Sequence, residues 1–273
     1  MNFAGSWYPA DAKGVEEMLE RFGVGEARGG AVAAVAPHAG WVFSGALAAK
    51  AIAALDPGLE TIAVIGGHML KGDRIVVANE DAFDTPCGRL ICDDELASRF
   101  MDELPKELEP SGDNYVTNTI ELELPFVARF FPRSRVLWIR VPPDQGAVAA
   151  GVALAKAAKA LGRSTGVVAS TDLTHYGPDY GFVPKGMGAA ARKWVREVND
   201  AAFIKAVERM DVEGVLRAAE DHKAACSAGA VAAAIAFASA YGVKSGTALG
   251  YASSADVRES ASFVGYAALG FYP

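Results

Sequence analysis

The chain has 273 residues, long for one domain but normal for an α/β protein built on a single large sheet. Hydrophobic residues make up 51% and charged residues 22%, a globular balance, and a net charge of −7 with no basic stripe argues against a nucleic-acid partner. Three cysteines are too few and odd in number for a disulfide framework and suit a reducing, cytoplasmic compartment, while Met1 to Pro9 lack the basic and apolar regions of a signal peptide.

Asp11 to Phe22 reads as an amphipathic helix, with Val15, Met18, Leu19 and Phe22 on one face. Ala31 to Ala36 is a short apolar run, expected to be a buried parallel strand that Pro37 ends. His38 to Ser44 reads as a loop and Gly45 to Leu55 as a helix. Thr61 to Ile65 is the next strand, followed by Gly66-Gly67-His68, and Arg74 to Ala78 is another. Asp93 or Asp94 caps a helix running to about Leu104. Ile120 to Phe131 looks helical, with Pro125 marking either a kink or a first turn. Then come a strand Arg135–Val141, an Ala-rich helix Gly146–Leu161 and a strand Gly166–Ser170. Two or three helices follow to about Tyr241, and Thr247–Ala252 and Ser262–Phe271 read as closing strands.

Strand and helix alternate through most of the chain, which predicts a mostly parallel central sheet flanked by helices on both faces. No repeat or linker interrupts it, so residues 1–273 read as a single domain. Ala224 to Val243 is uncharged and about one membrane span long. Its Ala, Ser and Gly content favours a buried helix in a soluble core over a membrane segment.

Of the four histidines, His38, His68 and His175 each lie just beyond an expected strand. Open α/β sheets bind ligands outside the carboxyl ends of their strands, so these imidazoles and Asp172 are expected to share one crevice. Imidazole ligates zinc, copper and iron, and a thiolate completes such sites. Cys226, just before the helix Ala228–Tyr241, could supply it, since a helix N-terminus lowers a thiol pKa. Each residue also has a plain reading: a loop histidine bonded to backbone, or a small buried cysteine. His222 lies four residues before Cys226 but sits in the charged run Glu220-Asp221-His222-Lys223, which reads as a solvated helix end. Cys87 and Cys92, five apart on an expected strand, would point to opposite faces as packing residues. Asp84, Asp93 and Asp94 read as surface or cap residues. Trp41 and Phe43 either wall a pocket or pack in the core. Neither a phosphate-binding Lys-Ser/Thr after Gly66-Gly67 nor a Gly-x-Ser-x-Gly elbow is present.

Several phrases together carry a resemblance. They are Ala4-Gly5-Ser6-Trp7-Tyr8-Pro9, Pro37-His38-Ala39-Gly40-Trp41-Val42-Phe43-Ser44-Gly45, Gly66-Gly67-His68 and Thr85-Pro86-Cys87-Gly88. Further on come Ile120-Glu121-Leu122-Glu123-Leu124-Pro125-Phe126, Ser170-Thr171-Asp172-Leu173-Thr174-His175-Tyr176-Gly177 and Ser262-Phe263-Val264-Gly265-Tyr266-Ala267-Ala268. In this order they resemble the Memo family, whose prokaryotic members are called AmmeMemoRadiSam system protein B. The resemblance implies an α/β fold related to class III extradiol dioxygenases, which use non-haem iron. It implies metal binding by His38, His68 and Cys226, with Asp172 and His175 beside the metal.

Iron(II) is the metal this implies first, with copper or zinc as alternatives. The implied activity is that of a metal-dependent oxidoreductase, with His175 as general acid/base because imidazole changes charge near neutral pH, and with Asp172 orienting it. Two other readings stand beside it. One is a non-catalytic metal- or peptide-binding partner of a radical-SAM enzyme or an AMMECR1-like protein. The other is a zinc hydrolase. The chain departs from the family pattern in three places: Thr117-Asn118-Thr119 replaces Glu-His-Ser, Gly66-Gly67-His68 replaces Gly-Pro-x-His, and Cys226-Ser227 replaces Cys-Gly.

Overall fold

The computed structural model describes residues 1–108, 110–113, 115 and 117–273. Its strands are β1 (Ala33–Ala36), β2 (Thr61–Gly66), β3 (Val76–Ala78), β4 (Ala82–Thr85), β5 (Gly88–Ile91) and β6 (Ser111–Asp113). They continue with β7 (Arg135–Arg140), β8 (Thr165–Ser170), β9 (His175–Tyr176), β10 (Gly246–Ser253) and β11 (Phe263–Phe271). One sheet runs β10-β11-β1-β8-β2-β7-β3-β6, with β9 beside β11, and β4 and β5 form a separate hairpin. The four central strands β1, β8, β2 and β7 are parallel. β11 against β1, and β3 against β7, are antiparallel additions at the flanks. The expected single α/β domain, parallel at its centre with helices on both faces, is what the chain forms.

Parallel strands need cover on both faces, and their residues alternate between two cores. Ala33, Val35, Ala63, Ile65, Val167 and Ala169 pack on the side of the helices Gln145–Leu161 and Ala228–Ala240. Ala34, Ala36, Ile62, Val64 and Val168 pack on the side of the helices Ala12–Phe22, Trp41–Ala53 and Leu124–Phe130. The helix Ala228–Ala240 is buried along nearly its whole length, as the plain reading of that stretch expected. Its small side chains let the helix Gln145–Leu161 approach so closely that a Cβ on Gly151 would lie 2.1 Å from the Ala233 carbonyl oxygen. Among the described residues no helix is long and apolar enough to cross a membrane.

Most expected boundaries hold within a residue or two. Asp11 caps the first helix by accepting from the Gly14 N–H, and Asp93, not Asp94, caps Asp94–Glu103 by accepting from Leu96. Pro125 lies in the first turn of Leu124–Phe130, separated from a short helix Asn118–Glu121.

Two readings are corrected. The helix expected from Gly45 begins at Trp41, because the Trp41 ring stacks on Phe126 at 3.8 Å, its indole N–H donates to the Leu122 carbonyl and its backbone N–H donates to the Trp7 carbonyl. That burial anchors the first turn on the core through Trp41 although Pro37 and Gly40 read as loop. Cys87 and Cys92 do not share a strand: Cys87 sits in the turn of the β4–β5 hairpin, made tight by Gly88 at φ +127°, and Cys92 follows β5. Both cysteines join the same apolar cluster.

Candidate metal centre

β1, β8 and β2 are adjacent and parallel, so their carboxyl ends open onto one edge. Two residues past β1 lies His38, two past β2 lies His68, and β8 leads into Asp172 and then His175. Cys226 comes from a different element, the turn before the helix Ala228–Ala240. Its N–H donates to the Asp172 carbonyl at 3.2 Å, and Ser227 N–H donates to Thr171 Oγ1 at 3.0 Å. Those two bonds tie the turn to the end of β8.

His38, His68 and Cys226 meet. His38 Nε2 lies 3.1 Å from His68 Nε2 and 3.3 Å from Cys226 Sγ. All three donor atoms fall within 4.8 Å of one another. A tetrahedral ion with N ligands at about 2.0–2.1 Å and S at about 2.3 Å sets its donors roughly 3.3–3.6 Å apart. The residues therefore fit a metal ion, and two nitrogens with one sulfur are a donor set that iron, copper and zinc accept.

The protonation states suit this role in part. His38 is buried, and that burial brings its imidazole down to about 4, against the pull of the Asp172 carboxylate. Burial lowers His68 as well. Both rings are therefore neutral near pH 7, the ligating form. The expectation that a helix N-terminus lowers the Cys226 thiol is corrected. Burial pushes it up to about 12, and the nearby Asp172 carboxylate adds to the effect. Although only Ser227 separates Cys226 from the helix, desolvation outweighs the helix end.

Asp172 does not orient His175 through a hydrogen bond. Its Oδ1 accepts from the His38 backbone N–H at 2.8 Å, and Oδ2 stands 3.8 Å from His175 Nε2. His175 Nε2 is buried without a hydrogen-bond partner among the described residues, and the ring packs on Tyr180 at 4.9 Å. His222 ends the helix Val212–His222 and is exposed, as expected.

These groups line a cleft of about 960 Å³. His38, His68, Asp172 and His175 form its polar floor, and Phe3, Trp7, Phe43, Tyr180 and Tyr266 its aromatic walls. Phe43 is thus a wall residue, whereas Trp41 is core. Asn118 also faces the cleft. The sulfur side of the centre borders a smaller cavity of about 230 Å³, lined by Cys226, His175, Tyr180 and Phe182 among others. The sequence reading missed the N-terminal wall, Tyr180, Tyr266 and the buried pair Ser170–Glu123. Ser170 and Glu123 stand inside two of the phrases that carried the resemblance, the one signal that could have found them.

A family described as Memo-like protein matches residues 1–270 of this chain. A MEMO1 family protein of Pyrococcus furiosus is 34% identical over 284 aligned residues, covering 97% of this chain and 96% of the relative. One from Pyrococcus abyssi is also 34% identical, with 97% and 96% covered. Among solved structures, an uncharacterized protein of Escherichia coli K12 superposes with a TM-score of 0.53 at 13% identity, covering 81% of this chain and 89% of that one. That last likeness is one of fold.

Proposed function

We propose that this chain, which belongs to the Memo-like protein family, is a metal-dependent oxidoreductase acting on a small-molecule ligand held in the aromatic cleft. One observation carries the reading. Two neutral imidazoles and a thiol meet at one spot, and both imidazoles line a cleft that also holds His175 and Asp172.

His38, His68 and Cys226 would hold the ion, with iron(II) the first candidate and copper or zinc the alternatives. Bound there, such an ion supplies redox and Lewis-acid chemistry to a ligand in the cleft. The protein supplies the rest. Phe3, Trp7, Phe43, Tyr180 and Tyr266 exclude water and offer ring faces to an apolar or aromatic ligand. His175 Nε2, buried and otherwise unpartnered, takes or gives a proton on the ligand. Asp172 accepts from the His38 backbone N–H and stands 3.8 Å from His175 Nε2.

The test is iron loading of protein purified without oxygen, followed by turnover of a panel of catechols and other small aromatic compounds. Turnover that falls about 10²–10⁴-fold in His175→Ala supports the reading. A fully loaded protein that turns over nothing in the panel overturns it. X-ray fluorescence that finds zinc, with hydrolysis of esters or amides, points instead to a hydrolase.

Asn118 favours a second reading. It brings an amide to the cleft where the family pattern has a histidine, so one acid/base group is missing. In that reading the cleft binds a metal or peptide for a radical-SAM or AMMECR1-like partner without catalysis. Pull-down of such a partner that is unchanged by His175→Ala supports it.

A further inference from the structure

Behind His38 a line of polar groups leads inward, away from the cleft. Ser170, the last residue of β8, is fully buried, and its Oγ lies 2.9 Å from His38 Nδ1. The same hydroxyl donates to Glu123 Oε1 at 3.0 Å. Glu123 sits just before the helix Leu124–Phe130 and is itself fully buried. Its other oxygen, Oε2, has no hydrogen-bond partner among the described residues, and no Lys or Arg there forms an ion pair with it. Burial holds this carboxyl well above the usual carboxylate range, against the opposing Ser170 hydrogen bond.

Glu123 Oε1 accepts the Ser170 hydrogen, and a serine hydroxyl has only one hydrogen to give. With that hydrogen directed to Glu123, the Ser170 oxygen can meet His38 Nδ1 only as an acceptor. Nδ1 must then carry the imidazole hydrogen. Nε2 keeps its lone pair, on the side of the ring that faces His68 and Cys226. We infer that Glu123 is a positioning residue which, acting through Ser170, fixes His38 in the Nδ1–H tautomer and so prepares Nε2 as a metal donor. The inference rests on the reading that His38 is a ligand.

A backbone hydrogen bond to Ser170 also helps to hold the His38 ring. Removing the side-chain relay should therefore change the tautomer ratio rather than exchange it completely.

The test uses metal-free, ¹⁵N-labelled protein, where the ring-nitrogen shifts of His38 report the tautomer with no ion present. His38→Gln identifies the signals. Wild type and Glu123→Gln, which keeps an accepting oxygen, are expected to show the hydrogen on Nδ1. In Glu123→Leu the Ser170 hydrogen has only His38 to go to, and the Nε2–H form should grow. Ser170→Ala cuts the same link from the other end and should shift the ratio likewise, so a failure of the Leu variant to fold leaves the question answerable. Zinc affinity, measured by competition with a chelating dye, should fall about 10–100-fold in Glu123→Leu and stay near wild type in Glu123→Gln. Wild-type His38 with its hydrogen on Nε2, or unchanged ring shifts in both Glu123→Leu and Ser170→Ala, overturns the inference. A wild type that shows the Nδ1–H form yet binds no zinc overturns the metal reading instead.

Discussion

The hydroxyl of Tyr8 donates to Glu121 Oε1 at 2.9 Å, joining the chain terminus to a helix 113 positions away. The same carboxylate accepts from the Asn2 and Phe3 N–H groups, both at 2.7 Å, and Glu121 is only 1% exposed. Three bonds to one buried acid hold the segment that carries Phe3, Ser6 and Trp7 against the cleft. Termini without such ties fray. Glu121→Ala is expected to cost about 2–3 kcal/mol, in the range for losing hydrogen bonds to a charged group. Limited proteolysis followed by mass spectrometry should then find cleavage before Pro9. An N-terminus as protected as in wild type would sink this account of the wall.

Removing a donor should remove the ion. Elemental analysis of protein purified without oxygen is expected to give about one metal per chain for wild type. Cys226→Ala and His38→Ala should bind at least about 100-fold more weakly, beyond the range seen for the partners that merely support a ligand. A ligand present at about 100 times its Kd adds about 2.7 kcal/mol of stability. Metal added to stripped wild type should therefore raise Tm, and leave Cys226→Ala where it was. Equal Tm gains in both proteins would place the ion elsewhere.

Asp200 sets a pH dependence of stability. It is fully buried, and burial raises its carboxyl to about 6, with hydrogen bonds from Thr174 and Tyr251 opposing the rise. The folded value lies above the unfolded one of about 3.9. The native chain thus holds this proton more tightly, and the resulting stability is full below about pH 4 and lost as pH rises through about 6. The loss is on the order of 2–3 kcal/mol. Urea unfolding of wild type against Asp200→Asn should show wild type losing that much relative to the variant between pH 4 and pH 7. Parallel pH profiles would refute it.

Gly151 is where two helices nearly touch. A side chain there would strike the Ala233 carbonyl oxygen at 2.1 Å and the Ala236 methyl at 2.9 Å. Gly151→Ala is expected to destabilise by about 1–3 kcal/mol, although alanine is the better helix former. Its exposed neighbour gives the control: Val152→Ala should stay within about 0.5 kcal/mol. Denaturant midpoints measure both, and a neutral Gly151→Ala would mean the helices can separate at little cost.

The positions of His38, His68 and His175 were legible because each follows an apolar run that could only be a buried strand, and parallel strands bring such ends together. Cys226 was legible as a candidate but its acidity was not, since burial among distant elements outweighs the local helix end. The first turn of Trp41–Ala53 hid behind Pro37 and Gly40, and the stacking of Trp41 on Phe126, a distant residue, is what anchors it. Glu121 and Glu123 look like ordinary polar positions of a short helix. Nothing local says that both are buried, one gripping the terminus and the other backing a serine. Likewise Asp172 stands three residues before His175, yet its closest partner is the His38 backbone, from a strand 134 positions away in sequence. Short elements such as β6, β9 and the β4–β5 hairpin carry too few residues for a periodicity to show.

The strands that deliver the donors are innermost, with β8 between β1 and β2, and β11 and β7 guarding them on either side. Proteins open from their margins first, and the central strands exchange their amide hydrogens only when everything lets go. Fraying at β10 or β6 would leave the nitrogen donors in register. Escape of a bound ion would then be limited by movement of the short loops past β1 and β2 and of the turn bearing Cys226, so its off-rate and the slowest amide exchange should respond to different mutations.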